Sequence, residues 1–155
     1  MVAGIEEPVR IAVLNGPNLN LLGVREPERY GRTSRAEVES RLMSVASELG
    51  VEIECAQHNG EGQLIDAVHG MRGRIAGAIV NAGAYSHTSL ALRDALVGVA
   101  VPFVEVHVTN VYAREPERRH SMLAPAAMGG VVGLGTQGYE LALRGLVTAL
   151  RGSGA

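Results

Sequence analysis

The chain has 155 residues, 46% of them apolar, and a formal net charge of −2 at pH 7. That length reads as one domain over residues 1–155 with frayed ends (about 1–7 and 152–155), and the near-neutral balance leaves no case for a nucleic-acid or other polyanionic partner. All fourteen basic side chains are arginine and there is no lysine, which excludes imine chemistry, a P-loop and a pyridoxal-phosphate linkage.

Taken from the N-terminus, the first eight residues lack the basic run and apolar stretch of a secretory signal, so none is expected. No apolar run approaches the roughly 18 residues of a membrane span. The first strand is expected over residues 9–14. It runs into LNGPNLNLLGVREPERYG (residues 14–31), in which Asn15, Asn18 and Asn20 are followed by Arg25 and Tyr30. Gly16, Gly23 and Gly31 with Pro17 and Pro27 argue against any helix in this stretch. In an open α/β sheet ligands bind beyond the carboxyl ends of strands, and this loop lies at such an end. Asparagine offers neutral hydrogen bonds to an oxygen. A tyrosine is a base only as phenolate, which a nearby arginine favours by its fixed charge.

A helix follows along Val38, Leu42, Val45 and Leu49, opened by the capping box Ser34–Glu37 and stopped at Gly50. The second strand, residues 51–55, contains the single Cys55. One cysteine forms no internal disulfide and fits a reducing, cytoplasmic setting, with Cys55 a packing residue rather than a nucleophile. Leu64, Ile65, Val68 and Met71 mark a second helix ending near Gly73, and residues 75–80 a third strand. At that strand's end Asn81 can donate to an oxyanion, and Gly83 lets backbone approach a ligand closely. A third helix is expected over residues 88–99, with Thr88 or Ser89 as its cap. His87 and Asp94, seven apart, share a face if one helix includes both.

The fourth strand (residues 102–108) carries Glu105 and His107 two positions apart, hence on one face. Charged groups inside a central strand are costly unless paired, and a carboxylate beside an imidazole orients it as a general acid. Residues 113–121 then supply Arg114, Arg118 and Arg119, either a solvated face or carboxylate binders. A fifth strand is expected over residues 130–134 and a fourth helix over 139–150. Between them GLGTQG (residues 133–138) matches a dinucleotide fingerprint. It follows the last strand rather than the first, so it reads as a tight strand-to-helix turn. No histidine or cysteine spacing suits a metal, and the G-x-S-x-G of a serine hydrolase is absent. Strands alternating with helices imply α/β architecture: a flavodoxin-like, doubly wound, five-stranded parallel sheet with helices on both faces.

Together these segments identify a resemblance to the type II 3-dehydroquinate dehydratases (type II dehydroquinases). Its carriers are LNGPNLNLLG (14–23), REPERYG (25–31), NGEGQLID (59–66), NAGAYSHTSLALRD (81–94), EVHVTN (105–110) and GLGTQGY (133–139). The resemblance spans residues 10–150. It implies a flavodoxin-like protomer in a homododecamer built as a tetramer of trimers. It implies a cofactor-free anti elimination of water from 3-dehydroquinate, through an enolate, to 3-dehydroshikimate. By motif match Tyr30 is the base and Arg25 its activator on a mobile lid. Asn18 holds the water or enolate oxygen, and His107, oriented by Glu105, protonates the leaving hydroxyl. Asn81, His87, Asp94, Arg118 and the Val108–Thr109 backbone bind substrate, and Arg114 completes the site. Thr109, Tyr112 and His58 stand where the family commonly has Ser, His and Ser. Two rivals remain open: a catalytically silent flavodoxin-like binding protein, and a hydro-lyase for a related cyclic polyol acid.

Overall fold

The computed structural model describes residues 7–152; of the expected frayed ends, residues 1–6 and 153–155 lie outside the described residues. Five strands, β1 (Arg10–Asn15), β2 (Glu52–Gln57), β3 (Gly77–Asn81), β4 (Phe103–His107) and β5 (Gly129–Val132), form one sheet in the order β2-β1-β3-β4-β5. Every pairing is parallel. This is the strand order of flavodoxin-like doubly wound sheets, which reverse direction of winding between β1 and β3.

The two sheet faces are read off alternate strand residues. Ile11, Val13, Ile79 and Val106 pack with α2 (Arg35–Leu49) and α6 (Gln137–Arg151) through Val38, Leu42, Leu143 and Leu146. Ala12, Leu14, Val80 and Phe103 pack on the other face with α3 (Glu61–His69) and α5 (Leu90–Val99) through Leu64, Val68, Leu92 and Leu96. The Ser34 hydroxyl accepts from the Glu37 N–H (3.2 Å) to start α2, and Gly50 ends it at φ 71°, a left-handed position that costs glycine nothing. No helix among the described residues is long and apolar enough to cross a membrane.

Three expectations are corrected. The segment 14–31 does contain a helix, α1 (Pro27–Tyr30), a single turn with proline at its first position, where a missing N–H costs nothing. His87 and Asp94 do not share a helix. His87 sits in the short α4 (Tyr85–Thr88), Ser89 is extended (φ −95°, ψ 93°), and its hydroxyl accepts from the Leu92 N–H (2.9 Å) to start α5 afresh. The first three strands also run further into polar sequence than hydrophobicity suggests, whereas β4 and β5 end before the expected residues 108 and 134. Asn15, Gln57, Asn81 and His107 are the last strand residues, and Asn15 stands in register with both Gln57 and Asn81.

At the winding reversal the loops after β1 and β3 cross in contact. The Gly16 N–H donates to the Asn81 carbonyl (2.7 Å), and a Cβ on Gly16 would overlap the Ala82 carbonyl. The glycine-rich segment 133–138 is a turn: Gly133 and Gly135 have φ of 83° and 72°, and their N–H groups donate to the His107 and Val108 carbonyls (3.0 Å each). It therefore holds the carboxyl end of β4 in place.

Candidate active site

The loops after β1, β3 and β4 enclose a cleft lined by Asn18, Arg25, Tyr30, Asn81, His87, His107, Val108, Thr109, Arg114 and Arg118. Ten of the twelve residues singled out in the sequence thus meet in one place. Glu105 lies directly behind His107. Asp94 does not join them. It faces a groove between α3 and α5 with Ile65, His69 and Arg72, because the break at Ser89 separates its helix from His87. It is withdrawn from the substrate contacts of this chain's own cleft.

Tyr30 lies at the end of α1, half-buried beneath two guanidinium groups. The Arg25 Cζ is 5.0 Å from the ring centroid and the Arg114 Cζ 5.5 Å. The hydroxyl itself belongs to Arg114, whose Nη1 donates to it at 2.7 Å and to the Thr109 Oγ1 at 3.4 Å. The Arg114 Nε is buried without a hydrogen-bond partner. The bond fixes the position of the Tyr30 oxygen and puts a cation directly on it. The sequence suggested Arg25 for this contact; Arg25 covers the ring face, and the oxygen is held by an arginine 84 residues away.

On β4, Glu105 and His107 are 4% and 6% exposed, and the His107 Nε2–H donates to the Glu105 Oε1 at 2.6 Å. That bond leaves Nδ1 as the nitrogen for a ligand. The His87 ring stacks on His107 with centroids 5.7 Å apart. Its Nδ1 donates to the His120 carbonyl at 2.8 Å, so its Nε2 is the free acceptor of a neutral ring. Burial holds the His87 pKa below the ordinary imidazole range, helped by the charges at His107 and Arg118 and opposed by the His120 hydrogen bond.

Asn18 has a left-handed backbone (φ 68°), tolerable for asparagine, and its N–H donates to the Asn59 Oδ1 at 3.0 Å. Gln57 fixes the same oxygen (2.9 Å) and the Gly16 carbonyl (3.1 Å). Beneath the cleft lies a buried network that sequence reasoning missed. The Tyr139 hydroxyl donates to the Asn15 Oδ1 (2.6 Å) and accepts from the Asn81 Nδ2 (2.8 Å), while the Asn81 Oδ1 accepts from the Gly83 N–H (3.2 Å). The only sequence hint was a tyrosine at the start of an apolar helix face. Burial raises the Tyr139 pKa far above the phenol range, so this network keeps its proton at all working pH. Tyr139→Phe strands one buried acceptor and one buried donor, each worth about 1–3 kcal/mol. Urea unfolding is expected to show that loss, with a rise in KM as Asn81 loses its anchor.

A flavodoxin-like α/β sheet with a guarded tyrosine, a carboxylate-braced histidine and amide donors at its winding reversal defines an acid–base enzyme for a small oxygenated molecule. Residues 9–147 match the family described as Dehydroquinase class II. A 3-dehydroquinate dehydratase of Gemmatimonas aurantiaca is 61% identical over 140 residues, covering 90% of this chain and 92% of that one. The type II dehydroquinase structures from Propionibacterium acnes and Butyrivibrio crossotus superpose with TM-scores of 0.86 and 0.87 at 41% and 38% identity. Each covers 90% of this chain, and the match takes in 96% and 97% of theirs. The chain belongs to the type II dehydroquinase family.

Proposed function

We infer that this chain is a 3-dehydroquinate dehydratase of the shikimate pathway, removing water from 3-dehydroquinate in the anti sense to give 3-dehydroshikimate. Beyond family membership, the observation that carries the reading is one cleft holding both an arginine-bound tyrosine oxygen and a buried carboxylate–imidazole pair. An α-proton beside a ketone and a β-hydroxyl leave by this route with a base, an acid and donors for an enolate oxygen.

The Tyr30 phenolate takes a proton from C2, and the C–H electron pair moves into an enolate on the C3 oxygen. Asn18 holds that oxygen directly or through a water. The enolate collapses to a C1–C2 double bond, the C1–O bond breaks, and the hydroxyl leaves with the His107 proton as water. Arg114 donates to the Tyr30 oxygen and Arg25 covers its ring, and Glu105 orients the acid. Asn81 donates to substrate hydroxyls and the His87 Nε2 accepts from one. Arg118 and the Val108–Thr109 backbone take the carboxylate. Glu26, held at φ 39° and ψ 62°, is a strained hinge for the lid that carries Tyr30, which closes over substrate and opens for release. We also propose a cytoplasmic homododecamer; exposed Leu90 and Val97, on the helix that carries Asp94, support assembly.

The test is the rise of conjugated-enone absorbance when the protein meets 3-dehydroquinate, with EDTA and with borohydride in parallel. Turnover unaffected by EDTA, with no substrate mass added by borohydride, is expected. A protein that binds without turnover is the silent rival, and one that acts only on another cyclic polyol acid is the alternative hydro-lyase. A stable reduced adduct defeats the enolate route.

A further inference from the structure

We propose that Ser121 is a positioning residue for the acid, holding Glu105 so that the His107 imidazole is presented to the leaving group. The proposal rests on the dehydratase reading above and names a residue that lies outside every motif that carried it.

Ser121 sits in the connection between β4 and β5, 16 residues beyond Glu105. Its Oγ accepts from two backbone N–H groups, those of Leu123 (3.1 Å) and Ala124 (3.0 Å). A serine oxygen has two lone pairs and one proton. With both lone pairs occupied, the hydroxyl can only donate, and what it meets is the Glu105 carboxylate, at 2.6 Å from Oε1 and 2.9 Å from Oε2. The two amides also polarise the O–H, which strengthens its donation to an anion. The acceptor Oε1 is the atom that receives the His107 Nε2–H. A continuous line therefore runs from two amides through Ser121 and Glu105 to the ring that protonates the substrate.

The segment that carries Ser121 is itself fixed. Leu123 is fully buried, and the Met122 N–H donates to the Ser86 carbonyl (2.7 Å). The preceding carbonyl, that of His120, holds His87. One short stretch thus secures both imidazoles of the stacked pair, each by a different group. A serine that served only to cap the turn at Ala124–Ala126 would need its two acceptor bonds and nothing more. The donation to Glu105 is the additional fact.

The experiment measures kcat and KM for 3-dehydroquinate in the wild type, Ser121→Ala, Ser121→Thr, Glu105→Gln and the Ser121→Ala/Glu105→Gln double variant, with urea unfolding of each. A lost hydrogen bond to a charged group is worth roughly a tenfold change or more. Ser121→Ala is expected to lower kcat about tenfold with KM within about twofold, and Ser121→Thr, which keeps the hydroxyl, to restore most of it. In the Glu105→Gln background the Ser121→Ala effect should be clearly smaller, because the carboxylate that Ser121 holds has become a neutral amide and only a weaker neutral hydrogen bond is lost. A cap whose loss merely loosens the loop would instead multiply the Glu105→Gln defect and raise KM. Full kcat in Ser121→Ala, or multiplicative effects in the double variant, overturns the role of Ser121 while leaving the dehydratase reading intact. A wild type without turnover overturns that reading and this one with it.

Discussion

Tyr30→Phe is expected to lose at least about 10²–10⁴ in kcat while keeping its fold and most of its affinity for substrate. The substitution removes one oxygen and nothing else. The ring, its packing under Arg25 and Arg114, and the α1 turn that presents it all remain. A free tyrosine is roughly 0.1% ionised at pH 7, so the chemistry depends on whatever favours the phenolate. In this cleft that is chiefly the Arg114 Nη1 on the oxygen at 2.7 Å, with Arg25 over the ring. Arg114→Ala should therefore lower kcat by about tenfold or more, because it removes the cation that sits on the reacting oxygen. Arg25→Ala should cost less of kcat, since it touches the ring and not the oxygen. Arg114→Lys should rescue only in part, because an ammonium lacks the guanidinium fork. The measurements are kcat and KM for each variant, with binding by calorimetry. A Tyr30→Phe enzyme retaining most of its kcat removes Tyr30 from the role of base.

The architecture was legible because parallel strands buried on both faces show as apolar runs, and the helices between them keep a 3.6-residue stripe and conventional caps. What blurred were the strand ends. Asn15, Gln57 and Asn81 close their strands but are polar, so hydrophobicity stops one or two residues early, whereas the fourth strand, expected to Val108, ends one residue sooner at His107. Those polar residues are where the site is built, and their burial is made tolerable by hydrogen bonds that no local pattern shows, such as Tyr139 to Asn15 across 124 residues. The site was legible where chemistry and spacing coincide: Glu105 and His107 are neighbours on one strand face, and that relation is local. It was illegible where the crossover creates the contact. Arg114 reaches Tyr30 because the loops after β1 and β4 meet at one end of the sheet, and Ser121 reaches Glu105 because the long β4–β5 connection folds back over its own strand. Asp94 failed for the opposite reason. A seven-residue spacing implies a shared face only along an unbroken helix, and Ser89 caps a new one between the two residues.

Substrate held by a His107→Ala enzyme should exchange its C2 proton with solvent deuterium faster than it is converted to product, because the two halves of the elimination become separable. Tyr30 still forms the enolate, and Asn18 still holds its oxygen, but the hydroxyl has no proton to leave with. The enolate therefore returns to substrate more often than it goes forward. Loss of a general acid typically costs about 10²–10⁴ in rate. Glu105→Gln should be milder, since an amide oxygen can still accept from the His107 Nε2–H at the position now 2.6 Å away, although without charge to support an imidazolium. It should therefore lower kcat but raise the exchange-to-product ratio less than His107→Ala does. His107→Ala also leaves the Glu105 carboxylate buried with one side-chain partner fewer, which is destabilising, so unfolding by urea must accompany the kinetics. Tyr30→Phe supplies the contrast: with no base, neither exchange nor product should appear above background. Nuclear magnetic resonance of the C2 protons in deuterium oxide, followed alongside enone absorbance, reads both processes in one sample. Exchange that collapses in His107→Ala as completely as in Tyr30→Phe would place His107 at proton abstraction rather than at hydroxyl departure, and the division of labour between the two residues would have to be redrawn.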